Sequence, residues 1–344
     1  MGAAARPRRP WGAGAEAIAA APAMHVGRWD GVEAAAADPI TGLAAALRDD
    51  PHQDKVGLCQ GAYKDDDGNP FLLPSVAAAE AAMALEPADH EYSAVDGLAE
   101  FVRLSQEFVF GTDSSALREG RIASVQALSG TGALRVCAET LMRVSHHSDK
   151  CIWLPKPSWG NHAHVFATAG LQVQHYRYLA EDGVSLDFEG MQADLLTLPR
   201  GSVVLFHASA HNPTGIDPTM AQWDQLAELC GERQQQLSPI MDTAYQGFAS
   251  GDPDRDAYSV RAMVDAGCPS LMVCQSFSKN MGLYGERVGC FSALCTDRAE
   301  AERLTSQIKQ AVLRPLWSFP PLYGYVCVCV CVCDVCVCDV YHTR

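Results

Sequence analysis

Six strand-like segments, at residues 151–154, 172–178, 202–206, 237–241, 271–275 and 288–294, alternate with stretches of helical spacing. That alternation leaves few solutions. A strand apolar on both faces has to be covered on both, and helical crossovers run successive strands parallel. The expected fold is α/β, a mostly parallel sheet flanked by helices. At 344 residues the chain can bury such a core as one large domain or two.

The residues that carry chemistry sit where these segments end, the edge at which open α/β sheets bind ligands. After 271–275 comes Ser276-Phe277-Ser278-Lys279-Asn280, with Arg287 eight residues past the lysine. An amine in that position suits the aldehyde of pyridoxal phosphate (PLP), and Ser276 with a bidentate Arg287 suits its phosphate. A solvated surface lysine is the plain alternative. Asp242 closes the segment before it, with Tyr245 three residues on. A fixed carboxylate keeps the PLP pyridine nitrogen protonated, and a tyrosine can donate to the ring's phenolate oxygen. Alone, Asp242 also reads as a helix cap or turn residue.

His211-Asn212-Pro213-Thr214-Gly215 forces a turn after 202–206; an ordinary turn is the plain alternative to a site at which the Asn212 amide would point at the ring oxygen and a substrate carboxylate. Ser129-Gly130-Thr131-Gly132 precedes a helical run with apolar residues at Leu134, Cys137, Ala138 and Leu141. The N–H groups at such a helix start form a phosphate cradle, though any such tetrapeptide also fits a plain loop.

In this order, the four segments resemble the PLP-dependent class I aminotransferases, and among them the aspartate aminotransferases of eukaryotic type. Further matches are Val26-Gly27-Arg28-Trp29-Asp30-Gly31-Val32-Glu33, Gly61-Ala62-Tyr63, Leu73-Pro74-Ser75-Val76, His90-Glu91-Tyr92, Val95-Asp96-Gly97-Leu98 and Pro157-Ser158-Trp159-Gly160-Asn161-His162. The resemblance runs from about Val26 to about Leu322. It implies PLP fold type I and a ping-pong exchange between L-aspartate and 2-oxoglutarate, in a homodimer with shared active sites.

The resemblance also implies roles. Lys279 is the lysine that bonds the cofactor and then moves the proton of the substrate's Cα. Asp242 partners the pyridine nitrogen with His162 behind it, Tyr245 and Asn212 bind the ring oxygen, and Trp159 stacks on the ring face. Ser129, Gly130, Thr131, Ser276 and Arg287 surround the phosphate, and Tyr92 reaches the phosphate of the neighbouring subunit. Gly61, Trp159 and Asn212 lie around the substrate's α-carboxylate, and Arg314 crosses the dimer interface to grip the distal one. Phe319 stands where the family pattern has asparagine. An aromatic amino acid aminotransferase is the alternative within the class. Outside it, the alternative is a non-catalytic truncated product that binds PLP or pairs with full-length subunits.

Beyond Leu322 the resemblance stops and valine alternates with cysteine, placing six of the 14 cysteines at 327–338. Valine–cysteine alternation is what a translated (TG)n repeat gives, and in a folded chain it is compatible with a strand. Because i, i+2 spacing is not that of zinc sites, no metal is expected. Family members run on for roughly a hundred residues that supply the arginine for the α-carboxylate, so activity of this chain is expected to be impaired. The organisation expected is a transit peptide or extension at 1–23, an arm with part of a small domain at 24–70, a PLP-binding domain at 71–322 and an aberrant tail at 323–344.

A net charge of −15 argues against nucleic acid as a partner, and no apolar run is long enough to span a membrane. The first 23 residues are alanine-rich and carry Arg6, Arg8 and Arg9 against one acid, Glu16. That points to an organelle such as the mitochondrion, or to the cytoplasm if translation starts at Met24.

Overall fold

A computed structural model describes residues 27–35, 39–57, 61–85, 90–145, 150–231, 236–268 and 270–333. The chain divides into two compact units, Met1–Gln60 and Gly61–Arg344. In the first unit the helix Pro39–Asp49 is closed at its end by Lys55, whose Nζ donates to the carbonyls of Leu47 and Asp50 at 2.7 Å each. A cation there complements the helix dipole.

The second unit is built on one seven-stranded sheet. Its strands are β1 (Ile122–Leu128), β2 (Cys151–Lys156), β3 (Gln172–Arg177), β4 (Val203–His207), β5 (Ser238–Thr243), β6 (Met272–Ser276) and β7 (Val288–Leu294), in the spatial order β1-β7-β6-β5-β4-β2-β3. Strands β2 to β6 pair in parallel, and β7 pairs antiparallel with both β6 and β1. The α/β expectation therefore holds, with all six foreseen segments in the sheet. The strand β1 was not foreseen, because Ser124 and Gln126 interrupt its apolar run. Both are buried and paired across the fold: Ser124 Oγ lies 2.7 Å from Ser292 Oγ, and the Gln126 amide accepts from Leu98 N at 3.0 Å and donates to Pro321 O at 2.8 Å.

The two-residue period of the strands sorts side chains to opposite faces. Val204 and Phe206 join Met241 and Val273 beneath Trp223 and Leu226 of the helix Met220–Cys230. Val203 and Leu205 join Ile240 and Met272 on the other face, under Leu134 of the helix Ser129–Arg143 and Phe166 of the helix Gly160–Ala169. With both faces covered, truncating a fully buried ring such as Phe291 to alanine would cost about 3–5 kcal/mol.

Two local features differ from expectation. Ser129-Gly130-Thr131-Gly132 does not precede the helix but forms its first turn. The Val/Cys alternation is no strand over its described part, but the helix Tyr323–Cys333. Its Tyr325, Cys327 and Val328 are buried with Val76, Ala79, Phe101 and Phe277. Every residue of that helix is apolar or glycine, so the face it buries is chosen by its neighbours and not by its own pattern. Residues 334–344 of the tail and 1–26 of the N-terminal extension lie outside the described residues.

At Gly289, in β7, a Cβ would lie 2.6 Å from the carbonyl carbon of Ser129 and 2.7 Å from the carbonyl oxygen of Gln275. Both neighbours are backbone and neither can turn aside. Gly289→Ala is therefore expected to lower stability by about 1–3 kcal/mol. Urea unfolding measures this, and an unchanged midpoint would show that β7 does not approach Ser129 this closely.

Candidate active site

With β1 to β6 pointing one way and β7 the other, six strand ends and one strand start share an edge. The register fixes who meets there: Ser276 lies opposite Gly289, Leu128 opposite Val288, and Asp242 between His207 and Cys274. Ser129 and Arg287, the residues flanking β1 and β7, fall on the same edge.

Ser129, Ser276 and Ser278 converge into a polar cup. Ser129 Oγ is 2.8 Å from Ser278 Oγ and 3.3 Å from Ser276 Oγ, and Ser278 N donates to Ser276 Oγ at 3.3 Å. Gly130 keeps the cup open, since a Cβ there would sit 3.0 Å from Ser276 Cβ. No side chain caps the helix that begins at Ser129, so its first N–H groups, with Thr131 in the same turn, are left for an anion. Arg287 stands exposed beside the cup, its Nη1 donating to Tyr284 O at 3.0 Å. Hydroxyls, uncapped N–H groups and a guanidinium form a donor set suited to a phosphate.

Lys279 is half-buried, and its Nζ donates to Gly61 O at 2.8 Å and lies 5.2 Å from the centre of the Tyr284 ring. The Tyr284 hydroxyl in turn accepts from Tyr63 N at 2.8 Å. Burial, and secondarily the positive charge of Arg287, pulls the Lys279 pKa below that of an ordinary lysine. Both disfavour the ammonium, so more of the amine is free to act as nucleophile or base.

Behind the edge runs an ordered chain of hydrogen bonds. Burial, with His162 and His211 nearby, holds His207 well below the usual imidazole range, so it is neutral. Its Nδ1 accepts from Asn212 N at 3.3 Å, which leaves the proton on Nε2, 3.2 Å from Ser158 Oγ. Ser158 can then donate to His162 Nδ1 at 2.8 Å, and His162 Nε2 to Asp242 Oδ2 at 2.9 Å. This assigns the His162 tautomer and leaves Asp242 as the terminal acceptor. His211, stacked on Tyr178 at 3.9 Å, is lowered to about 4 by burial and by His162. The Trp159 ring meets His162 edge-on at 5.2 Å. Asn212 Nδ2 lies 3.5 Å from the Tyr245 hydroxyl, whose pKa is raised by burial and then by Asp242.

The sequence-derived residues thus fall into two groups. Ser129, Gly130, Thr131, Trp159, His162, Asn212, Asp242, Tyr245, Ser276, Lys279 and Arg287 lie at the strand termini of this edge or in the segments that adjoin them, and Gly61 joins them by accepting from Lys279 Nζ. Tyr92 and Arg314 instead meet each other through Phe319. The Tyr92 and Phe319 rings are 4.8 Å apart, and the Arg314 guanidinium lies 5.0 Å from the Phe319 ring. Tyr92 is 82% exposed, and among the described residues neither it nor Arg314 has a hydrogen bond or ring contact with the Lys279 group. Sequence reading gave no role to Ser158, His207 or Ser278. Only Ser278, two residues from Ser276, had a local signal that could have found it.

The model of the family "Aminotransferase class I and II" matches residues 53–325. A mitochondrial aspartate aminotransferase of Xenopus tropicalis is 47% identical over 296 residues, which is 86% of this chain and 68% of that protein. The structure of the cytoplasmic aspartate aminotransferase of Saccharomyces cerevisiae superimposes with a TM-score of 0.86 at 39% identity, covering 92% of this chain and 77% of that one. An aromatic-amino-acid aminotransferase of Burkholderia pseudomallei, solved covalently bound to pyridoxal phosphate, also gives 0.86, at 36% identity and the same 92% and 77% coverage. An anion cup, a half-buried lysine and a histidine-backed aspartate at one sheet edge, in a chain matched over most of its length, lead to one assignment: the chain belongs to the class I and II aminotransferases.

Proposed function

We propose that the chain is a PLP-dependent aspartate aminotransferase, exchanging the amino group between L-aspartate and 2-oxoglutarate. The observation that carries this reading is the convergence of Lys279, the serine cup and the His162-backed Asp242 on one edge. The donor set fits the cofactor. Ser129, Gly130, Thr131, Ser276 and Arg287 would hold its phosphate, Asp242 its ring nitrogen, Tyr245 and Asn212 its phenolic oxygen, and Trp159 its ring face. When bound, PLP supplies an aldehyde that takes an amine and a cationic ring that withdraws electrons from the adjoining carbon.

The protein's own groups do the rest. Asp242, reduced to an acceptor by the His162 proton, offers a fixed negative charge that needs no reorganisation. Lys279 Nζ, with its lowered proton affinity, is the base for the substrate's Cα proton. Gly61, Trp159 and Asn212 would surround the α-carboxylate. A guanidinium at Arg314 suits a distal carboxylate by a bidentate contact, which favours dicarboxylic substrates. Because Tyr92 and Arg314 lie apart from the Lys279 group of their own chain, we read them as serving the site of a second copy in a homodimer. A strictly monomeric species in light scattering at working concentration would remove that part. The similarity to the aromatic-amino-acid aminotransferase of Burkholderia pseudomallei gives the second reading, an aromatic amino acid aminotransferase, its support. The arginines among the first 23 residues favour mitochondrial targeting, and a Met1-initiated fluorescent fusion that stays in the cytoplasm would count against it.

Two outcomes are expected. Borohydride reduction of the protein mixed with PLP should yield a stable adduct that peptide mass spectrometry places on Lys279 and that Lys279→Ala abolishes. An adduct of equal yield in the variant would remove Lys279 from its role. Asp242→Ala should keep that adduct yet slow aspartate–2-oxoglutarate exchange by about 10²-fold or more, the scale of losing one preorganised charge. Undiminished exchange would overturn the Asp242 assignment, and faster turnover of L-phenylalanine than of L-aspartate by the unaltered protein would favour the second reading.

A further inference from the structure

We propose that Tyr325 is a positioning residue for the phosphate cup, acting through the backbone on Ser129 and Arg287; this rests on the PLP reading above. Its hydroxyl lies 2.9 Å from the carbonyl oxygen of Arg287 and within hydrogen-bond reach of that of Ala127, so its one proton is shared between the two. Those two carbonyls belong to the antiparallel neighbours that deliver the cup: Ala127 lies two residues before Ser129, and Arg287 immediately precedes β7. Two acceptors facing one another repel unless a donor stands between them, and this phenol is that donor.

Arg287, whose carbonyl is held directly, and Ser129, two residues past the held Ala127, are both non-glycine positions in the left-handed region, at φ 56° and φ 62°. Such conformations persist only where the surroundings fix them. Tyr325 is placed to do so. It is fully buried, its ring packs edge-on against Phe101 at 4.7 Å, and burial raises its pKa, which keeps the proton on the oxygen. The preceding Gly324 seats the helix directly on the β7 entrance, because a Cβ there would lie 2.6 Å from Glu286 Cβ and 2.7 Å from Val288 Cγ2.

Tyr325→Phe keeps the ring and removes only the donor. The full chain and this variant would be compared in two ways: amide hydrogen exchange without cofactor, and affinity for PLP against pyridoxal, which lacks the phosphate. Exchange at 286–289 and 127–131 should quicken in the variant. PLP affinity should fall about tenfold, the scale of one unsatisfied buried hydrogen bond, while pyridoxal affinity stays unchanged. Equal losses for both compounds, or a collapse of the fold, would reduce Tyr325 to a packing residue and overturn the proposal. So would unchanged exchange and unchanged affinity. If the unaltered protein does not prefer PLP to pyridoxal, the PLP reading fails and the phosphate role with it. The cofactor-free exchange data would still decide whether Tyr325 fixes the cup.

Discussion

Where β7 enters the sheet, its backbone at Gly289 lies between the Ser129 turn and β6, with no space for a side chain on either side. That approach lets a strand running against its neighbours deliver Arg287 to the edge where β1 and β6 deliver Ser129 and Ser276. A parallel strand in the same place would end at this edge instead of starting there, and its preceding loop would fall at the far side. The anion cup therefore depends on one reversed strand and on the glycine that lets it pack.

The polar groups behind the edge follow from burial. His162 is fully buried and Asp242 nearly so, and each needs its partners: the histidine has Ser158 on one nitrogen and the aspartate on the other. Because His207 is held neutral and takes a backbone N–H, every donor in the chain points toward Asp242. The same desolvation acts on Lys279, where it likewise favours the uncharged form. An imidazole kept neutral at His207 and an amine with lowered proton affinity at Lys279 are thus two results of burial behind one sheet edge.

Much of this was legible locally. Strand ends followed by Ser-x-Ser-Lys, by Asp and by Asn-Pro lie on one edge of any parallel sheet, so the gathering of Lys279, Asp242 and Asn212 could be foreseen. The strand β1 could not, because Ser124 and Gln126 find partners only across the fold, at Ser292, Leu98 and Pro321. The Val/Cys helix was hidden for the opposite reason. Its residues are so uniformly apolar that the alternation is compatible with a strand, while packing against Val76, Ala79 and Phe101 settled on a helix face.

The sequence by itself determined the α/β class, the strand-end placement of the reactive residues and the chemistry each could offer, because strand period and turn residues act over a few positions. Only the tertiary structure decided which protons stand where along His207, Ser158, His162 and Asp242. It alone set Tyr325 against the carbonyls of Ala127 and Arg287, and stacked Arg314 and Tyr92 on Phe319, apart from Lys279. Most of these contacts join residues far apart in the chain, and their energies exist only once the sheet has closed around them.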